Sequence, residues 1–237
     1  MAKLLMLVFL ALFFLSPIRG MATAQVSADA ALITNLEGAV AFQNGEDSNK
    51  SSAALSFMKL HAGDRLDLSA KSSVQVLFFA SGRQETWRGP ISLIIEMERS
   101  RADRVNGPSP EPEVKMLPVK ATGRMSASSL PLPNAKTQVS GAIRTMEVTV
   151  KSKKPPRDSS RRPDSQAQLK EAKKLYRELR KATPQSDPTP EIYYLGVLAD
   201  NRRYEEMGGI IKEMLKKRPG DQVLLDLKAW VAEQSRP

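Results

Sequence analysis

The 237-residue sequence predicts an α+β multidomain protein, and three observations carry that expectation. Residues 30–98 hold short apolar runs separated by turn signals at roughly 8–12-residue spacing, as in sandwiches and rolls. Residues 165–237 change to a helical period and repeat themselves after 35 residues. Between them, residues 99–164 contain nine of the 16 prolines. The expected architecture is an N-terminal antiparallel β sandwich or roll, a proline- and base-rich linker, and a C-terminal four-helix α-hairpin repeat.

The chain begins with Met1-Ala2-Lys3, followed by the unbroken apolar run Leu4–Leu15. As a helix this run reaches about 18 Å, well short of a hydrocarbon core about 30 Å thick. Pro17 and Gly20 then break it, and Ala22-Thr23-Ala24 supplies the small residues a signal peptidase reads. Residues 1–24 are therefore expected to be a signal peptide cleaved near Ala24, and the mature chain to be periplasmic or secreted. No cysteine is present, which excludes disulfides, thiolate metal sites and cysteine nucleophiles.

Charge is unevenly placed. The net charge is +10, of which Lys3 and Arg19 lie in the signal segment. Residues 25–98 carry −3, residues 99–164 carry +8 and residues 165–237 carry +3. A nucleic-acid-binding fold concentrates basic charge on a structured face, whereas here it falls in a proline-rich tract.

In residues 25–98 the strands are expected in order. Ala31–Ile33 and Ala39–Phe42 flank a glycine turn at Gly38, and Asn44-Gly45 marks a tight turn before a polar loop over Glu46–Ser52. Leu60–Leu68 places Gly63-Asp64 between two extended pieces. Ser73–Phe79 alternates and then becomes wholly apolar, Arg83–Trp87 follows the Ser81-Gly82 turn, and Ile91–Ile95 follows Gly89-Pro90. His61, the sole histidine, is expected to be a surface or capped residue, and Trp87 to pack at the sheet rim, with glycan stacking as its other conceivable role.

The order Gly38-x-Val40, Leu60-x-x-Gly63-Asp64-x-Leu66, Val74-x-Val76-x-Phe78, Gly82 and Gly89-Pro90-x-x-Leu93 resembles the FecR-family periplasmic β domain. That resemblance implies a β module that contacts other envelope proteins. FecR signalling proteins also carry a membrane helix and a cytoplasmic part that holds a sigma factor. Neither is found here, so the resemblance extends to the β module alone.

Pro108-Ser109-Pro110-Glu111-Pro112 favours extended polyproline geometry. Val139–Val150 ends in the alternation Met146, Val148, Val150, which suggests a strand near 144–150 added to the β domain. Lys151–Arg162 is strongly basic and is expected first of all to be a solvated linker. Its partners in principle are anionic lipid heads, lipopolysaccharide and nucleic acid, the last being the weakest because the stretch lacks aromatic residues on which bases stack.

From Ser165 the period is helical. Ser165-x-x-Gln168 forms a capping-box pattern, followed by Leu169, Ala172, Leu175, Tyr176 and Leu179 on one face. A second helix starts at Thr189-Pro190, with Thr189 as the cap and Pro190 in the first turn, and its apolar face is Ile192, Tyr193, Leu195, Leu198 and Ala199. A third runs over about 203–218, and Asp221 caps a fourth in which Leu224, Leu225, Leu227, Trp230 and Val231 face inward. Leu169, Ala172, Leu175, Leu179 and Pro184 fall on Tyr204, Met207, Ile210, Met214 and Pro219, 35 residues later. With Leu195-Gly196, this pattern resembles a degenerate tetratricopeptide repeat, which implies a surface for peptides or proteins. Fewer than three helix pairs bury their apolar faces poorly, so the β domain or a partner is expected to complete the packing.

The sequence contains no G-x-S-x-G, P-loop, H-E-x-x-H or histidine cluster. Glu96 and Glu98 lie beside Arg99, where solvation accounts for them. We therefore expect no catalytic residues, no metal and no cofactor. The functional expectation is a non-catalytic exported adaptor or scaffold of the bacterial envelope, with envelope proteins or peptides as partners and Tyr193, Tyr194, Arg202 and Arg203 as candidate contacts. A cell-wall or surface-polysaccharide binding module is the alternative.

Overall fold

The computed structural model describes residues 28–103, 110–134 and 163–236. The signal segment, the strand expected near 144–150 and the basic stretch 151–162 lie outside the described residues. The described chain is α+β, with two antiparallel five-stranded sheets and five helices.

The strands are β1 (Asp29–Glu37), β2 (Val40–Asn44), β3 (Asp47–Ala53), β4 (Lys59–His61), β5 (Arg65–Leu68), β6 (Ser73–Phe78), β7 (Arg83–Arg88), β8 (Ile91–Ile95), β9 (Ser100–Ala102) and β10 (Glu113–Met116). One sheet has the order β10-β7-β6-β1-β4, the other β3-β2-β5-β8-β9. The Asn44-Gly45 signal forms the expected tight connection, with Asn44 paired to Asp47. The segment expected to be a polar loop is instead β3, at the edge of the second sheet. Its sequence, DSNKSSA, has no apolar alternation because an edge strand needs only backbone pairing with β2.

Alternation along the strands divides the apolar side chains between two cores. Ile33, Phe42, Leu66, Val76, Phe78, Leu93 and Ile95 join one buried cluster drawn from both sheets. Leu32 and Leu77, directly paired across β1 and β6, point the other way and join a second cluster with the helices. The first sheet is thus apolar on both faces, which explains why Ser73–Phe79 loses its alternation.

The helices are α1 (Val119–Ala127), α2 (Pro163–Ala182), α3 (Thr189–Asp200), α4 (Tyr204–Lys217) and α5 (Gln222–Gln234). Asp221 caps α5 as expected, its side chain accepting from the Leu224 amide at 3.2 Å. Within α5, Leu225 is 39% exposed while Val223 is buried. The inward stripe is therefore Val223, Leu224, Leu227 and Val231, the spacing a 3.6-residue period requires, with Trp230 half-buried against the same cluster as expected. The start of α3 also differs from expectation. Thr189 does not cap it; Asp187 accepts from the Thr189 amide at 2.9 Å and from the Thr189 hydroxyl at 2.5 Å.

The linker expected over 99–164 is replaced, in its described part, by β9, β10 and α1. Leu117, Ala121, Met125 and Leu130 are buried against the helices. The prolines sit where proline fits: Pro112 precedes an edge strand, Pro118 precedes the first turn of α1, and Pro133 offers its carbonyl to the Lys59 amide at 2.9 Å. Proline content alone does not separate such positions from a tether.

Helix α3 is the centre of the helical layer, buried along nearly its whole length and packed by α1, α2 and α4. Gly196 permits the approach of the chain after α1, since a Cβ there would lie 2.9 Å from the Ser128 Cβ. Helices and sheet meet over polar ties as well as apolar ones. Gln84 of β7 donates to Thr189 Oγ1 at 2.8 Å and Asp187 Oδ2 at 3.3 Å, all three residues being buried. Thr122 donates to the Phe79 carbonyl at 2.8 Å, and Lys115 to the Ala182 carbonyl at 2.7 Å.

Candidate functional site: a cleft between the helices and the end of β1

A cleft of about 570 Å³ opens where the helical layer meets the end of β1. One wall is Asn35, Leu36 and Glu37; the opposite wall is Tyr176 of α2, Glu191 of α3, and Gly209, Ile210 and Met214 of α4. Its volume falls in the range of ordinary ligand sites. The walls combine apolar surface with charges of both signs, including Glu37, Glu213, Lys217 and Arg218.

The walls are held by partly buried charge pairs. Arg180 of α2 bridges to Glu191 at 2.8 Å and donates to the carbonyls of Thr183, Pro184 and Asp187, closing the α2–α3 turn around one guanidinium. Tyr176 stacks on Tyr194 with ring centroids 4.9 Å apart and planes 12° from parallel. Burial, and then the nearby Glu191 carboxylate, push the Tyr176 phenol above its ordinary value. It stays a neutral hydrogen-bonding group at physiological pH.

Arg218 forms the floor where α4 meets the β domain. Its guanidinium donates to Asn35 Oδ1 at 2.5 Å, lies 3.9 Å from the Asp221 carboxylate and sits 5.6 Å from the centroid of the Phe57 ring. Burial pulls its pKa below the ordinary arginine value, opposed by Asp221, Asp187 and Glu37. Arg218→Met keeps the stem but removes the donors, leaving Asn35 without this contact. We expect a loss of about 1–3 kcal/mol in denaturant unfolding, with altered binding in the cleft measured alongside.

The four candidate contacts are not brought together here. Tyr193 and Tyr194 are 2% and 5% exposed and belong to the helical core. Tyr193 borders a smaller hollow of about 190 Å³ with Lys120, Arg124 and Glu171. Arg202 and Arg203 are exposed at the α3–α4 turn, where Arg203 pairs with Glu206. Tyrosines in a helix buried on all sides carry no surface signal, so periodicity alone cannot expose them. The cleft did leave one mark in the sequence. Gly208-Gly209 interrupts the helical pattern of α4 at a cost near 1 kcal/mol per glycine, and the space beyond both is open.

Trp87 is 4% exposed and donates to Glu85 Oε2 at 3.1 Å and Ser100 Oγ at 2.7 Å. It is an interior residue, which removes the glycan-stacking role. His61 is also buried, at 6%, with Nε2 3.4 Å from Asp29 and Nδ1 3.7 Å from Asp64. Glu96 pairs with Arg99 and Arg101 on the surface, as its setting suggested.

Asp64 is 2% exposed and accepts from the Gly45 amide at 3.1 Å and the His61 amide at 2.7 Å. Desolvation raises its pKa above 3.8, against the lowering effect of those donors and of His61. The native state therefore binds this proton more readily than the unfolded chain. The stability Asp64 contributes is full below 3.8 and is lost as pH rises through the raised value. Asp64→Asn removes this dependence, so the wild-type-minus-variant difference in unfolding free energy should grow as pH falls from neutrality toward 3.8.

Among the described residues no cluster of three or more histidine, cysteine or carboxylate side chains is placed to hold a metal. No helix among them is long and apolar enough to cross a membrane. No family model, curated protein or solved structure matches the chain.

Proposed function

We propose that the protein is a non-catalytic adaptor of the bacterial cell envelope, exported by its N-terminal segment, and that it holds a segment of a partner protein in the cleft beside α4. The supporting observation is the cleft itself, whose mixed apolar and charged walls come from two layers packed against each other. In this reading the two sheets are a FecR-like sandwich, and α2–α5 are two tetratricopeptide-like pairs whose third neighbour is supplied by the first sheet. The spacing that supports the second point is the 35-residue repeat, with α2 packing on α3, α3 on α4 and α4 on α5.

Gly209→Phe tests the reading. A side chain at this exposed position has open space in front of it and extends into the cleft. Replacing a helix-interior glycine also favours the helix by a few tenths of a kcal/mol, so the fold is expected to persist. Protein incubated with an envelope fraction of its own host should retain a defined polypeptide, and Gly209→Phe should reduce that retention at least tenfold. Retention on purified wall or polysaccharide with both proteins alike, and no polypeptide captured, would establish the carbohydrate-binding alternative instead.

A further inference from the structure

Four of the five exposed large apolar side chains among the described residues lie on β10 or on the segments tied to its end, and none of them lines the cleft. They are Met97, Val114, Met116 and Val119, at 46%, 41%, 62% and 56% exposure. Met116 is paired with Arg83, and a Cβ on Gly82 would lie 3.6 Å from Val119 Cγ2. Ser81 ties in the turn bearing Met97 by donating to the Glu98 carbonyl at 2.7 Å.

Among the described residues β10 is also an edge of the first sheet. β10 pairs with β7 on one side and with no other described strand. The Leu117 amide donates to the Gly82 carbonyl at 2.8 Å, so the odd-numbered residues aim their backbone groups at β7. The amides and carbonyls of Val114 and Met116 consequently point outward. The other edges among the described residues are blunted: β4 is bridged by Asn134, β9 is three residues long and β3 carries only polar side chains before its final Ala53. Among the described strands, β10 alone joins outward backbone groups to exposed apolar side chains.

We propose that this edge is a homodimer interface, in which β10 pairs antiparallel with β10 of a second copy about a two-fold axis at Val114. The sequence Glu113-Val114-Lys115-Met116 is self-complementary in that register. Val114 faces its own copy and exchanges both backbone hydrogen bonds, while each Glu113 stands opposite the other chain's Lys115. Val114 and Met116 form one shared apolar strip on the face away from the helices. A foreign strand satisfies the backbone equally well, but nothing selects its charges; a second copy supplies both partners of each ion pair. A two-fold contact is closed, so it ends at two chains.

Sedimentation velocity of the purified full chain over a concentration series tests this. Self-association to a dimer is expected with a Kd on the order of 10–100 µM, in keeping with so small an interface. Lys115→Glu places carboxylates opposite each other and should weaken association at least tenfold. The double variant Glu113→Lys/Lys115→Glu reverses the pairs and should restore it, with circular dichroism confirming the fold of both. A chain that stays monomeric throughout the series overturns the proposal. So does a dimer indifferent to Lys115→Glu, or a folded double variant that remains monomeric.

Discussion

Leu77→Ala is expected to lower the unfolding free energy by about 3 kcal/mol, and to shift strands and helices together. Leu77 is fully buried, yet it is absent from the core shared by the two sheets; its cluster contains Leu32, Phe57 and the residues of α2–α5. Truncation therefore opens a cavity between sheet and helices, where leucine-to-alanine changes cost about 2–5 kcal/mol. A helical domain hanging from a flexible tether would leave this face in water, and the same change would be nearly neutral. The two tryptophans make the distinction measurable, because Trp87 lies among the strands and Trp230 in α5. Variants retaining one tryptophan each should give coincident denaturant transitions, both displaced by Leu77→Ala. Transitions that separate, or a cost below about 0.5 kcal/mol (surface-like behaviour), would show that the layers fold independently.

How far the sequence reaches follows from what each residue has to satisfy. Most strands and helices α3–α5 were legible because a half-buried strand and an amphipathic helix leave periodic marks, and because Pro190, Pro219 and Asp221 stand at helix ends. β3 left no mark, since an edge strand facing solvent requires no apolar side chain. α1 and β10 were hidden by the prolines around them, which report local backbone angles and not exposure. The contact between layers was announced only indirectly, by the apolar run Val76–Phe79, where one strand serves two cores. The cleft was the least legible feature. Asn35 and Arg218 are 183 positions apart and meet only because α4 lies against the end of β1. No window of sequence contains both.

Glu85→Ala is expected to produce the largest single loss, about 3–5 kcal/mol. Glu85 is fully buried on the inner side of β7, between Val76 of β6 and Val114 of β10. Its carboxylate accepts from Arg83 Nε at 2.5 Å, from the Trp87 indole at 3.1 Å, from the Ser100 amide at 3.1 Å and from the Ser100 hydroxyl. One side chain thus joins β7 of the first sheet to β9 of the second. A charge is costly to bury, and its removal is costlier still when its partners stay behind. Alanine leaves the Ser100 amide without its acceptor and Arg83 without its counter-ion. Trp87 is the least affected, because Ser100 Oγ accepts from it at 2.7 Å. Glu85→Gln retains the shape and one acceptor oxygen, so its loss should be smaller, about 1–3 kcal/mol. The order alanine, glutamine, wild type in increasing stability separates lost hydrogen bonding from lost volume. A glutamine variant as unstable as alanine would locate the whole effect in the charge and its pairing with Arg83. A cost below about 1 kcal/mol for both variants would mean that Ser100 and Arg83 find other partners, and that the link between β7 and β9 does not depend on this carboxylate.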